Sequence, residues 1–191
     1  YQVGGEPLSV LPFTDVEAQD AQAVRYVYEN GLMAGVTETQ FAPDQTLTRG
    51  ELTSILWKLA GSPQVAADAA GFVDTAGADC AGAVAWAADN GVVSGYGDSR
   101  FGPADPVTRE QMSLMLLRYA QYAGMDTAQG GMTVREFADY DQIAGYALEA
   151  VAWTVEAGLL TGTSSDTLAP GQAATRVQTA QALLALAQFT K

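Results

Sequence analysis

The stretch Gly91–Gln111, GVVSGYGDSRFGPADPVTREQ, is written three times in this chain of 191 residues. It stands earlier as Gly31–Glu51, GLMAGVTETQFAPDQTLTRGE, and later as Gly158–Gln178, GLLTGTSSDTLAPGQAATRVQ. In each copy a second Gly follows the first by four residues, and an apolar residue (Phe41, Phe101 or Leu168) follows six later. A Pro comes two positions after that, and Thr-Arg five after the Pro. From first Gly to Arg the interval is 18 residues in all three copies. A period kept without slippage marks a repeat protein, in which no unit can bury its apolar face alone.

Outward from this stretch the repeat lengthens. Phe13-Thr-Asp15, Phe72-Val-Asp74 and Phe137-Ala-Asp139 open the units. A helical stretch follows each opening and ends at the first Gly, where a left-handed C-cap is expected at Gly31, Gly91 and Gly158. An aromatic residue, Tyr26, Trp86 or Trp153, always sits five before that Gly. Its ordinary role is to anchor one helix on the next; a face for stacking sugar is the other reading.

Downstream, Thr48-Arg-Gly-Glu51, Thr108-Arg-Glu-Gln111 and Thr175-Arg-Val-Gln178 fit the reciprocal capping pattern of a helix start. The helices behind them carry stripes at helical spacing: Leu52, Ile55, Leu56 and Leu59; Met112, Met115, Leu116 and Tyr119; Thr179, Ala182, Leu183 and Leu186. The expected organisation is a tail at 1–12, repeats at 13–61, 72–124 and 137–189, and loop-like connectors at 62–71 and 125–136. The expected class is all-α, three helix–loop–helix units in one integrated domain.

Composition removes several functions. A net charge of −13 repels polyanions and argues against nucleic acid. There is no histidine, so His-based triads and His-ligated metals are excluded. Cys80 is alone and reads as a small half-buried residue rather than a nucleophile. No apolar run reaches membrane-spanning length, so the Gly-x-x-x-Gly pairs are loop features and not a membrane dimer motif. No cofactor or metal is expected.

The three arginines Arg49, Arg109 and Arg176 fall at the first helical position, where a cation is disfavoured by about 0.3–1 kcal/mol. Two readings are open. Each Arg pairs with the Asp of an opening (Asp15, Asp74 or Asp139) and pins neighbouring repeats together. Alternatively, Arg and the free amides of the helix start form a pocket for an anion, the guanidinium gripping a carboxylate bidentately. On the second reading, removing the arginine costs folding little.

The combination of Phe-x-Asp, an aromatic before Gly-x-x-x-Gly, Phe-x-Pro and (Leu/Val)-Thr-Arg-x-(Glu/Gln), in units of about sixty, resembles the S-layer homology domain in triplicate, over residues 13–189. The resemblance implies a pseudo-threefold, three-pronged spindle around a central three-helix bundle. It also implies non-covalent anchoring of a surface protein to the bacterial cell wall. The ligand implied is a pyruvylated secondary cell-wall polysaccharide held in grooves between repeats, with Arg49, Arg109 and Arg176 supplying the cations. The location implied is extracellular, at the bacterial cell surface, in a module of a larger surface protein.

Beside the arginines, the expected ligand-binding set holds Asp15, Asp74 and Asp139, Gly35, Gly95 and Gly162, Tyr96 and Asp98, and Trp86 and Trp153. Arg109 with Gly95, Tyr96 and Asp98 is expected to form the best groove, since only the second loop carries Gly-Tyr-Gly-Asp. The third copy, with Leu168 for Phe and Ala174 for Leu or Val, is expected to contribute least. Two other classes stand beside this one: an assembly module of a surface lattice, and a glycan hydrolase using a carboxylate pair.

Overall fold

Thr48, Thr108 and Thr175 each start a helix, and each does so through the reciprocal cap that the spacing predicts. In the computed structural model, which describes residues 10–65, 71–128 and 131–189, the three Thr hydroxyls accept from the amides of Glu51, Gln111 and Gln178. The side chains of those three residues accept in return from the Thr amides. The helices that follow are α2 (Arg49–Leu59), α4 (Arg109–Tyr122) and α6 (Arg176–Phe189). The expected stripes are buried on all three, apart from Leu59, which is partly covered.

The first helix of each unit is shorter: α1 (Ala21–Glu29), α3 (Ala81–Asp89) and α5 (Leu148–Glu156). They stop where Gly31, Gly91 and Gly158 take φ of 67°, 71° and 73°, the conformation a residue with a Cβ avoids. The chain is thus all-α, and among the described residues extended pairing is limited to three isolated bridges. The stretch 133–136, expected as loop, is a 3-10 turn that buries Val134. Of the expected tail and connectors, residues 1–9, 66–70 and 129–130 lie outside the described residues.

The repeats close on one another in a cycle. The backbone-close helix pairs are α2 with α3, α4 with α5, and α6 with α1. Each second helix therefore packs on the first helix of the next unit, and the third unit returns to the first. A mutual bundle of α2, α4 and α6 is not among the close pairs; these helices reach one another through side chains, as where the Thr179 hydroxyl meets Met112 Sδ at 3.6 Å.

Just before these helices the main chains themselves form a ring. The amide of Leu47 donates to Ala174 O at 3.0 Å, that of Ala174 to Val107 O at 2.8 Å, and that of Val107 to Leu47 O at 2.9 Å. All three residues are buried. They are the equivalent position of the three units, two residues before the arginine.

The openings serve their own repeats. Each Asp takes two adjacent loop amides: Asp15 those of Phe41 and Ala42, Asp74 those of Phe101 and Gly102, Asp139 those of Leu168 and Ala169. The second residue of each pair is left-handed, with φ of 55° at Ala42, 73° at Gly102 and 52° at Ala169. For alanine that conformation is strained by about 1–2 kcal/mol, and the carboxylate clamp holds it. The opening Phe lies against the second Gly of the loop: a Cβ at Gly35 or Gly95 would come within 2.4 Å of the Phe13 or Phe72 ring, and one at Gly162 within 3.0 Å of Phe137.

Both Asp15 and Asp74 are held below the ordinary carboxylate value. At Asp15 burial opposes ionisation, but the amides of Phe41 and Ala42 outweigh it; at Asp74 the Phe101 amide leads. With folded values depressed, their contribution to stability is complete above about pH 4 and is lost as pH falls through those values. Thermal unfolding followed by circular dichroism should show the melting temperature falling below about pH 4, and Asp15→Asn should flatten part of that fall. At neutral pH, Asp139→Ala strands two loop amides and should cost about 2–4 kcal/mol in denaturant unfolding.

Candidate functional site between the repeats

A helix start leaves four amides without intrahelical partners, and these were one half of the expected anion pocket. Here all four are taken in every repeat. At α2 the Thr48 amide has Glu51, the Arg49 amide has Asp105 O, the Gly50 amide has Pro103 O, and the Glu51 amide has Thr48. At α4 the second and third acceptors are Gln172 O and Pro170 O, and at α6 they are Gln45 O and Pro43 O. In each case the carbonyls come from the loop of another repeat.

The arginines reach the same way. Arg49 Nε donates to Phe101 O at 2.9 Å and Nη2 to Ser94 O at 3.0 Å. Arg109 donates to Leu168 O and Thr161 O, and Arg176 to Phe41 O and Ala34 O. Each guanidinium thus spans from its own helix start into the loop of its neighbour. The cation at the wrong helix end is compensated, but by carbonyl dipoles rather than by the openings' carboxylates. Among the described residues no ion pair joins these arginines to Asp15, Asp74 or Asp139, whose oxygens hold the loop amides. Burial pushes the Arg109 and Arg176 guanidiniums down from their usual values, with Asp139 and the Glu51–Asp15 pair respectively opposing it; both stay cationic at neutral pH.

This geometry redraws the expected groove. Arg109 does not meet the Gly95–Tyr96 loop; Arg49 does, lying 4.8 Å from the Tyr96 ring centroid. Among the described residues, grooves open at two of the repeat boundaries. One, of about 500 Å³, lies between repeats 1 and 2 and is lined by Met33, Ser54, Lys58, Asp79, Cys80 and Arg176 among others. The second, of about 400 Å³, lies between repeats 2 and 3 and is lined by Ser94, Tyr96, Leu114, Arg118, Tyr146 and Arg49 among others. Each groove gathers residues from all three repeats, because the arginine arrives from the one outside the pair.

The remaining expected residues fall into distinct places. Trp86 and Trp153 are 4% and 1% exposed, edge-on to Tyr122 and Phe189, and anchor the core with no face open to a sugar. Gly35, Gly95 and Gly162 make room for the opening Phe rings. Asp98 is exposed and paired with Arg100 at 2.8 Å, away from both grooves. Lys58, Arg118 and Tyr146 were not singled out from sequence; the first two stand nine residues after the repeated arginine, a position where the third copy has Ala185.

The family model described as the S-layer homology domain matches residues 12–53, 71–113 and 136–180, the same three units that the hydrogen bonds define. The chain is 29% identical over 189 residues, 95% of its length and 17% of the relative's, to an exoglucanase, XynX, of Acetivibrio thermocellus. It is 26% identical over 171 residues, 88% of its length and 20% of the relative's, to an S-layer protein of Bacillus thuringiensis subsp. finitimus. It is 35% identical over 117 residues, 56% of its length and 10% of the relative's, to a surface-layer 125 kDa protein of Lysinibacillus sphaericus. The chain therefore spans a fifth or less of each of these proteins.

Since each of these arginines joins two repeats, its removal should unfold rather than merely inactivate. Arg109, 2% exposed, loses two charge-assisted bonds on truncation. Arg109→Ala should lower stability by about 3–5 kcal/mol in denaturant unfolding, well beyond the fraction returned by relieving the helix start. Arg176→Ala, at a more open site, should cost less.

Proposed function

The chain belongs to the S-layer homology domain family, and from that premise we propose that it anchors a larger surface protein to the bacterial cell wall by binding a pyruvylated secondary cell-wall polysaccharide between its repeats. The family and the relatives named as S-layer and surface-layer proteins indicate a cell-surface, cell-wall-associated location. The observation that carries the binding mode is an inter-repeat groove with a guanidinium, that of Arg49, at its wall.

A carboxylate-bearing polymer must approach a molecule of charge −13, so attraction has to be local. The arginines provide it. In Arg49 the Nε–H and one Nη2–H are used within the protein, leaving three of five donors without a protein partner among the described residues. One residue thus closes the repeat boundary and presents charge to the groove. The role requires binding and no bond breaking, and three enzyme-named relatives, an exoglucanase, an amylopullulanase and an endoglucanase, are matched over only 17%, 9% and 19% of their lengths.

Co-sedimentation with purified wall sacculi tests the reading. The chain should pellet with intact sacculi, release no reducing sugar, and stay in solution with sacculi stripped of their secondary polymer. Equal binding to stripped and intact sacculi would remove the polysaccharide from the account, and release of reducing sugar would make the chain an enzyme.

A further inference from the structure

The two grooves and the third boundary occupy equivalent places but differ in chemistry. On the residues lining it, the groove between repeats 1 and 2 sets Lys58 and Arg176 against Glu51 and Asp79. Its cations are matched one for one by carboxylates. The groove between repeats 2 and 3 has Gln111 where the first has Glu51, and Tyr146 where it has Asp79. It is lined by Arg49 and Arg118 and by no carboxylate. Of these two grooves it is the one whose cations have no carboxylate beside them in the lining, in a chain of charge −13.

The two guanidiniums are also brought together. Arg49 Nη2 donates to Ser94 O and Arg118 Nη1 to Ser94 Oγ, each at 3.0 Å. Two cations converging on one serine repel each other, and an anion between them relieves that repulsion. The equivalent residue of repeat 1 is Ala34, which has no hydroxyl to draw Lys58 in. At the third boundary Ala185 replaces the second cation altogether, and Gln181 Nε2 donates to Asp20 at 2.7 Å, joining α6 to the start of α1.

The walls differ as well. Tyr146 is 59% and Tyr96 47% exposed, and both line the groove beside the cations. Each is held: Tyr96 Oη donates to Asp105 at 2.9 Å, and Tyr146 Oη donates to Glu110 at 3.2 Å. Glu110 also accepts from the Ala144 amide, so it fixes Tyr146 while lying outside the groove lining. A fixed ring with an exposed face is a platform for the C–H face of a sugar, and the fork of Arg118 suits a carboxylate.

We propose that the groove between repeats 2 and 3 is the carbohydrate-binding groove of this chain, with Arg118 and Tyr146 as its specificity-determining residues for an acidic sugar. This rests on the anchoring reading above and goes beyond it in assigning one groove. Arg118 grips the carboxylate together with the spare donors of Arg49, Tyr146 carries the ring, and the charge-balanced groove between repeats 1 and 2 does not take the anion.

The test is a binding isotherm of the whole chain on intact sacculi, with melting temperatures measured in parallel. Arg118→Ala and Tyr146→Ala should each weaken binding about tenfold with melting within a few degrees of the parent. Tyr146→Phe, which keeps the ring, should bind much as the parent, and Arg118→Lys should fall between. Lys58→Ala should bind within about twofold of the parent. If Lys58→Ala loses binding while Arg118→Ala and Tyr146→Ala keep it, the groove between repeats 1 and 2 is the site and the assignment is overturned. It is equally overturned if all the variants bind as the parent does. A parent chain that does not bind sacculi overturns the anchoring reading, and the assignment with it.

Discussion

Three main-chain hydrogen bonds, passed around the cycle from Leu47 to Ala174 to Val107 and back, are the constraint on which this molecule depends. Each of these residues donates to one neighbour and accepts from the other, so none is satisfied unless all three repeats are present. They are buried, and a buried amide or carbonyl without a partner costs about 1–3 kcal/mol. The ring therefore couples three units that are far apart in sequence into one cooperative body. It also explains the period. An inserted residue between the loop Gly and the arginine would shift one member of the ring out of register with the other two.

The arginines extend the same logic outward from the ring. A cation at a helix N-terminus is locally unfavourable, and here the unfavourable placement occurs three times. The gain lies between repeats: the helix start that repels the guanidinium directs it toward the neighbour's carbonyls, at Phe101 and Ser94 for Arg49. Amides and arginine from one unit meet carbonyls of the next, so each boundary is polar, specific and directional. The grooves lie at these boundaries. Binding and cohesion consequently share residues, and alanine at the arginines cannot separate them, whereas Arg118 and Tyr146 are free of the boundary's main-chain bonds.

Much of this was legible in the sequence because it is local. The capping boxes at Thr48, Thr108 and Thr175, the apolar stripes behind them and the left-handed Gly31, Gly91 and Gly158 all follow from short-range stereochemistry. What linear spacing could not reveal is which repeat a side chain reaches. Arg109 and the Gly95–Tyr96 loop share a repeat in sequence, yet Arg109 crosses to repeat 3 and the loop receives Arg49. The partners of Asp15, Asp74 and Asp139 were misread for a related reason: an acid and a base at fixed spacing suggest an ion pair, but paired amides in a left-handed turn were the stronger claim on the carboxylate. Gly102 did hold a readable signal. A Cβ there would come within 2.6 Å of the Tyr96 ring, so the one repeat with a Tyr in its loop is also the one with Gly where the others have Ala42 and Ala169.

On this geometry the three repeats close as one ring and not as three independent hairpins in series. Native-state hydrogen exchange on the amides of Leu47, Val107 and Ala174 addresses it directly. All three should exchange only through global unfolding, with the same free energy and the same response to denaturant. If one of them exchanges by a lower-energy local opening while the other two remain protected, the ring is not cooperative and the repeats fold as separable units.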